Sequence, residues 1–376
     1  LYRRVLRWLI AGNVRRGGVY PLSVGAERGL QAEILAREGL AGGFDAVAHG
    51  CTAAGNDQVR FEAALAILAP DLTVLAPVRE LGLAREEQRA YLQRAGLELP
   101  PSGARYSVNA GLWGLTIGGG ELLSSWGSLP DDGWHWTRGA SGAGTIVVTF
   151  ERGEPVALDG EALAPAALIE RLNRQAGALG AGRGYHLGDT VLGIKGRIAF
   201  EAPAAEVLLA AHRELEKLVL TEEQRTVKDS LGELYGKRLH QGLFPDPLQR
   251  DIEALFASSQ ERVSGRARVR IAGGSTLVEG VESPFSMMAA SDAKYGERAA
   301  KGSDPRAALG FARILAEPAR LHGKAGSGTH VSSATRAAET VKQPAHRPPP
   351  SQEGTAREGT RKPTVGTGIS KEKKSS

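Results

Sequence analysis

The sequence predicts an α/β chain: a parallel, doubly wound sheet, then an α+β region, then a C-terminal helix. Three observations carry this prediction. Short apolar runs at Phe44 to Gly50 and Thr73 to Pro77 alternate with helix-length stretches, the pattern of strands joined by crossover helices in a parallel sheet. Beyond Pro100 the pattern changes to a strong strand, Gly144 to Phe150, with a hairpin partner at Glu154 to Gly160. Two long helical stretches, Pro203 to Leu220 and Glu222 to Gln241, then follow with no strand between them.

Taken in order, Tyr2 to Ala11 is the first helix, with Val5, Leu6 and Leu9 at helical spacing. Ala26 to Glu38 is the second. Phe44 to Gly50 is a buried strand ending in glycine, Gln58 to Ala69 the helix after it, and Thr73 to Pro77 the next strand. Ala84 to Ala95 is again helical. Pro100 to Gly144 reads as turn-rich. Helices are predicted at Pro165 to Ala176 and from Pro247 to about Phe256. Strands at Arg262 to Ile271 and Ser275 to Glu282 are joined by Gly273-Gly274, and a last amphipathic helix spans Pro305 to Ala316. The composition shift at Leu99-Pro100 divides the chain into residues 1–99, residues 100–320 and a tail, 321–376.

The tail explains the charge. The chain carries +5, yet residues 321–376 hold ten Lys/Arg against four Glu, so the tail is +6 and the rest is −1. Rich in Gly, Ser, Thr and Pro, the tail cannot bury enough surface to offset its ordering entropy, and disorder is expected. The folded body therefore gives no reason to expect a nucleic-acid partner. No apolar run reaches membrane-spanning length, so no membrane partner is expected either. The single cysteine, Cys51, excludes an internal disulfide and a multi-cysteine metal site, and fits a cytoplasmic location. The chain opens on Leu1 with a basic helical segment and no signal-peptide pattern, and an N-terminally truncated product is the expectation.

The densest polar cluster is His49-Gly50-Cys51-Thr52-Ala53-Ala54-Gly55-Asn56-Asp57-Gln58-Val59-Arg60-Phe61. It falls where a strand ends and a helix begins, the place where open α/β sheets bind ligands. Gly50 and Gly55 permit close backbone approach. Thr52, Asn56 and Asp57 can cap the helix, whose free N–H groups favour an anion. Arg60, one turn in, can present a two-pronged fork to a carboxylate. An ordinary capped loop would also contain such residues singly; five polar groups and two glycines together point to a ligand site.

This string resembles the HGCTGKGNDQVRF signature of the argininosuccinate synthases. Tyr20-Pro21-Leu22-Ser23 is similar to the family's YPL motif. Tyr106 to Asn109 with Leu112 to Ile117 resembles YSIDxNLWGxSI, Gly193 to Arg197 with Phe200 to Ala204 resembles GIKSRxxYEAPA, Ala211 to Leu220 resembles AHRxLEKLVL, and Ser283 to Ser286 resembles SPYS. The resemblance runs in order from Leu1 to about Ile314.

It implies an adenine nucleotide alpha hydrolase-like sheet, incomplete here, followed by a synthetase domain. It also implies a carbon–nitrogen ligase of arginine biosynthesis that joins citrulline to aspartate. ATP is the cosubstrate, with Mg2+, and is cleaved to AMP and pyrophosphate. Such chemistry rests on positioning more than on one general base, so no catalytic residue and no protein-held metal are expected. By similarity Gly50 lies against ATP, and Thr52, Asn56 and Asp57 hold aspartate. Tyr20, Asn56, Arg60, Ser107 and Thr116 hold citrulline. The family is typically homotetrameric, and Ala308, Leu309, Phe311, Ile314 and Leu315 give the last helix an apolar face suited to a neighbouring subunit.

Departures from the family pattern mark a divergent bacterial subgroup. Ala53-Ala54 stands for Gly-Lys, Gly25 for a serine, and Thr116 for a serine. Gly188 and Phe200 replace the usual citrulline-contacting Glu and Tyr, and Asp189 or Thr190 is the expected substitute contact. The family's SGGxDTS pyrophosphate loop does not occur in the sequence, so the chain as it stands is expected to hold the amino-acid half of the site and to be inactive alone. The alternative is a noncatalytic paralogue binding citrulline, arginine or aspartate.

Overall fold

The computed structural model describes residues 1–83, 85–99 and 105–325. The expected tail lies, beyond Ala325, outside the described residues. The described residues fall into two units, Leu1–Arg298 and a second that begins at Ala299.

The first unit opens with a π-helical turn, Tyr2–Leu6, that runs into α1 (Arg7–Ala11). Then come α2 (Glu27–Ala41), β1 (Ala46–Ala48), α3 (Asn56–Leu68), β2 (Thr73–Leu75), α4 (Pro77–Glu80) and α5 (Arg85–Arg94). β1 and β2 are parallel, with Val47 opposite Val74, and α3 makes the crossover between them. Ala36, Val47, Leu65, Ala69 and Leu72 form the small core of this layer.

After residue 105 the strands are antiparallel. β3 (Ser107–Gly111) and β4 (Gly114–Gly118) form a hairpin in the stretch read as turn-rich, where no strand was predicted. β5 (Ala143–Glu151), β6 (Glu154–Leu158) and β7 (Glu161–Ala162) follow, then α6 (Pro165–Ala178), β8 (Arg183–Asp189) and β9 (Lys195–Glu201). The chain continues through α7 (Pro203–Val219), α8 (Glu222–His240), α9 (Pro247–Ser259), β10 (Gly265–Ala272), β11 (Ser275–Glu282) and the short α10 (Met287–Ala290). The strands make a five-stranded sheet ordered β11-β10-β5-β6-β7 and a four-stranded sheet ordered β3-β4-β9-β8. The second unit contains α11 (Pro305–Ala325), which runs further than the predicted Pro305 to Ala316.

The helical breaks follow local chemistry. α8 starts on a reciprocal cap in which the Gln224 amide donates to the Thr221 hydroxyl and the Gln224 side chain accepts from the Thr221 amide. That cap ends α7 at Leu220 and separates two helices that periodicity alone would run together. Pro165, Pro203 and Pro247 each occupy a first helical turn, where the missing N–H costs no intrahelical bond.

Two buried polar assemblies join the layers. Val5, Leu6, Leu9 and Ile10 sit in the main core with Phe150, Leu172, Leu208 and Phe256, so the N-terminal helix belongs physically to the antiparallel half. Beneath it the Glu216 carboxylate accepts from the half-buried Asn13 (2.6 Å) and from Gln260 (2.8 Å) and pairs with Lys228 at 3.1 Å; Glu216, Gln260 and Lys228 are all buried. Lys228 also donates to the Ala11 carbonyl at 2.9 Å, satisfying the end of α1. Glu201, with no exposed surface, accepts from the amides of His135 (2.8 Å), Trp136 (3.0 Å) and Thr137 (2.8 Å) and from the Thr137 hydroxyl (2.5 Å). It thereby pins the 131–140 loop to the end of β9, next to Phe200.

Candidate active site

A cleft of about 570 Å³ opens where the β1–α3 loop faces the β3-β4-β9-β8 sheet and the turn after α1. Each of the eight residues singled out from the sequence lines it: Tyr20, Gly50, Thr52, Asn56, Asp57, Arg60, Ser107 and Thr116. Ser107 and Thr116 stand on β3 and β4, two registers apart in the hairpin, so the sheet wall carries both hydroxyls to the same opening.

The β1–α3 loop presents backbone on one side and side chains on the other. Gly55 is the N-cap of α3, and no side chain caps that end. Thr52, Asn56 and Asp57 therefore do not cap it, contrary to expectation, and the side chains of Asn56 and Asp57 have other partners. The Asn56 Oδ1 accepts from the Val191 amide at 2.8 Å, tying the loop to the β8–β9 turn and leaving the Asn56 Nδ2 as a donor. Asp57 receives Arg28 Nε at 2.9 Å on one oxygen and Arg60 Nη1 at 2.5 Å on the other. A carboxylate has about four acceptor positions, so Asp57 retains capacity for a ligand's ammonium. A Cβ at Gly50 would meet nothing; the backbone there is open to a ligand.

Arg60 is 7% exposed and holds the two halves of the chain together. Its Nε donates to the His240 carbonyl at 2.8 Å, and its Nη2 lies 2.8 Å from His240 Nδ1. His240, the last residue of α8, thus receives α3 through one side chain. Burial, then the neighbouring Arg60 and Arg16 cations, push the His240 imidazole down to about 2, so it is neutral.

Tyr20 forms the floor of the far end. Its ring stacks on His186 (centroids 5.4 Å apart) and leans on Phe200 (5.3 Å). Burial raises its hydroxyl to about 12, against the pull of Arg60 and of the Val24 and Gly25 amides; the phenol remains protonated and can donate. The loop behind it carries backbone strain: Leu22, fully buried, has φ +61°, a conformation that bulky residues rarely adopt. The buried Trp113 indole donates to the Pro21 carbonyl at 2.9 Å and holds this loop against the β3–β4 turn.

The divergent positions have a physical reading. Phe200 keeps the ring that Tyr20 packs on. A side chain at Gly188 would bring its Cβ to 2.6 Å from His186 Nε2, so the space of an acidic side chain is occupied by a histidine. Asp189 and Thr190, the expected substitute contacts, both line the cleft; the Asp189 carboxylate pairs with Lys195 at 2.6 Å, and its carbonyl accepts from Arg16 Nη2 at 2.5 Å. Lining residues that escaped the sequence reading include Arg16, Arg28, His186 and His240. Each reads alone as a solvated cation or a core histidine. The usable signal was Arg15-Arg16-Gly17-Gly18, one residue short of Tyr20, two cations and a tight turn next to a ligand motif.

Comparison with known proteins agrees with this geometry. Residues 4–98 match the family model "Arginosuccinate synthase N-terminal HUP domain", and residues 106–322 match "Arginosuccinate synthase C-terminal domain". The chain is 38% identical to an argininosuccinate synthase of Methanocaldococcus jannaschii over 282 residues, covering 74% of this chain and 71% of the relative. It is 40% identical to that of Symbiobacterium thermophilum over 308 residues (81% and 76%) and 40% identical to that of Synechococcus sp. strain JA-3-3Ab over 306 residues (80% and 75%). With both domain models matched in order, and a cleft lined by the residues of the shared motifs, the chain belongs to the argininosuccinate synthase family.

Proposed function

We propose that the cleft is the amino-acid half of an argininosuccinate synthase site. There citrulline and aspartate are joined at the expense of ATP. The ureido oxygen of citrulline attacks the α-phosphorus of ATP and pyrophosphate leaves. The aspartate amine, having lost a proton, then attacks the activated ureido carbon, and AMP leaves with the C–O electron pair. Positioning dominates such a sequence, because both reactants must meet in line within a shielded site.

The residues divide the work accordingly. Asp57 takes the aspartate ammonium, with Thr52 and the Asn56 amide nitrogen toward its carboxylates. Tyr20, Ser107 and Thr116 supply hydroxyls along the citrulline chain. Arg60 orients Asp57 on one side and His240 on the other, and together with Asn56 reaches citrulline. Gly50 leaves its backbone open for the nucleotide, and Mg2+ enters as the counter-ion of the ATP phosphates. A homotetramer built partly through α11, and a cytoplasmic location, complete the proposal; among the described residues no helix is long and apolar enough to cross a membrane.

The carrying observation is the convergence of three separate segments, Tyr20, the five positions from Gly50 to Arg60, and Ser107 with Thr116, on one cleft with an acceptor, Asp57, held between two arginines. Argininosuccinate itself fills both amino-acid subsites and needs no nucleotide, so calorimetric titration with it tests the reading. One saturable site, displaced by aspartate and by citrulline and lost in Asp57→Asn, is expected. A chain that binds no argininosuccinate, or binds it equally well as Asp57→Asn, would refute the reading.

A further inference from the structure

His240 lies between two guanidinium groups. Arg60 Nη2 is 2.8 Å from its Nδ1, and Arg16 Nη1 is 2.5 Å from its Nε2. Guanidinium nitrogens only donate, and a neutral imidazole has one lone pair and one N–H. The ring can therefore accept from one arginine; the other faces an N–H. Arg60 is the better anchored, with Nε on the His240 carbonyl and Nη1 on Asp57. We assign the lone pair to Nδ1, so that the Nε2–H opposes Arg16.

Arg16 is thus the cation of the cleft with an unmet demand. Its backbone is fixed: its amide donates to the Tyr20 carbonyl at 2.7 Å and its carbonyl accepts from the Tyr20 amide at 3.0 Å, across a turn in which Gly17 and Gly18 take φ of +59° and +74°. Only the side chain is free to move. Its one well-formed contact is to the Asp189 carbonyl, since the Asp189 carboxylate is held by Lys195. Its other polar neighbour, His186, stacks on Tyr20, and no described group hydrogen-bonds the buried His186 Nε2. Burial and the Arg16 charge lower the His186 pKa, so this corner holds one positive charge and two neutral rings. Arg28 is spent on Asp57 and Gln31.

We propose that Arg16 is a substrate-binding residue that takes the carboxylate of the ureido acid, swinging off His240 Nε2 to make a two-pronged contact, with His186 Nε2 completing the subsite. Its position two hydrogen bonds from Tyr20 puts that carboxylate at the citrulline end of the cleft and away from Asp57. The gain is twofold: a charge-assisted fork forms, and a donor–donor contact disappears. Arg60, also expected to reach citrulline, has three contacts already made, so the fork for this carboxylate falls to Arg16. This inference rests on the proposed function and specifies one residue's share in it.

The test is titration of the whole chain and its Arg16→Leu variant with three ligands. Citrulline carries both carboxylate and ammonium, 5-ureidopentanoate only the carboxylate, and N-carbamoylputrescine only the ammonium. Loss of a charge-assisted fork predicts that Arg16→Leu weakens the first two by about 10- to 100-fold, leaving N-carbamoylputrescine and aspartate unchanged. Arg16→Lys, which keeps the charge without the fork, should fall between, and unchanged aspartate affinity reports an intact fold. Equal effects on all three ureido ligands, or no effect on citrulline, would overturn the assignment while leaving the ureido-acid reading standing. If the wild-type chain binds none of the three, the proposed function of this end fails and the assignment falls with it.

Discussion

Replacing Arg60 with lysine is the most informative single perturbation of the site. Lysine keeps the charge but offers one ammonium in place of a planar fork. In the structure the guanidinium makes three contacts in different directions, to the His240 carbonyl (2.8 Å), to His240 Nδ1 (2.8 Å) and to Asp57 (2.5 Å). One ammonium can keep one of them. Two hydrogen bonds are lost, and at least one acceptor on His240 remains buried without a partner. At about 1–3 kcal/mol for each unsatisfied buried group or charge-assisted bond, the expected loss is about 2–4 kcal/mol. Urea unfolding of wild type and Arg60→Lys, followed by tryptophan fluorescence, measures it. The variant should also bind aspartate more weakly, because Asp57 loses one of its two guides. An unfolding midpoint within about 0.5 kcal/mol of wild type would refute the claim that this fork joins α3 to the end of α8.

Other perturbations follow from the same geometry. Asp57→Asn removes the acceptor for an ammonium and should weaken aspartate by about 10- to 100-fold, read by calorimetry, with citrulline much less affected. Because the folded His240 pKa is depressed far below its unfolded value near 6.5, the unfolded chain binds a proton that the native chain refuses. Stability from this residue is therefore present above about pH 6.5 and is lost steadily as pH falls toward 2, by about 2 kcal/mol between pH 7 and 5; denaturation midpoints of wild type and His240→Asn across that range should converge at low pH. Gly188→Ala places a Cβ 2.6 Å from His186 Nε2 and must push the ring off Tyr20; a cost of about 1–3 kcal/mol is expected, with citrulline binding weakened in titrations. Glu201→Gln turns one acceptor into an NH2 group facing a backbone N–H and should lower stability by about 2–4 kcal/mol, seen as a fall in melting temperature.

The parallel layer was legible because its signals are local. Ala46–Ala48, Asn56–Leu68 and Thr73–Leu75 carry their own apolar runs, glycine stops and helical spacing, and the ligand motif lies wholly within that stretch. The β3–β4 and β8–β9 hairpins were not legible. Ser107–Gly111 is partly to fully exposed, and Arg183–Asp189 buries only His186, so neither strand shows a core face in the sequence. What orders them is pairing across long separations, such as Leu115 with Glu201. The same distance hid part of the site. Arg16 and His240 touch across 224 positions and Arg60 and His240 across 180, and nothing around Leu239-His240-Gln241 marks that histidine as more than a helix-end residue. The Asp189 expectation met a competing partner, Lys195, which a one-dimensional alignment of motifs could not weigh.

The central claim is that Thr52, Asn56 and Asp57 form an aspartate subsite, and Tyr20, Asn56, Arg60, Ser107 and Thr116 a citrulline subsite, in one cleft. A crystal structure of the chain with argininosuccinate bound tests it most directly. The account predicts the succinyl moiety against Asp57 and the β1–α3 loop, with the arginine-derived moiety along Tyr20 and the β3–β4 hairpin and its carboxylate toward Arg16. Argininosuccinate in the opposite orientation, or bound outside this cleft, would contradict it.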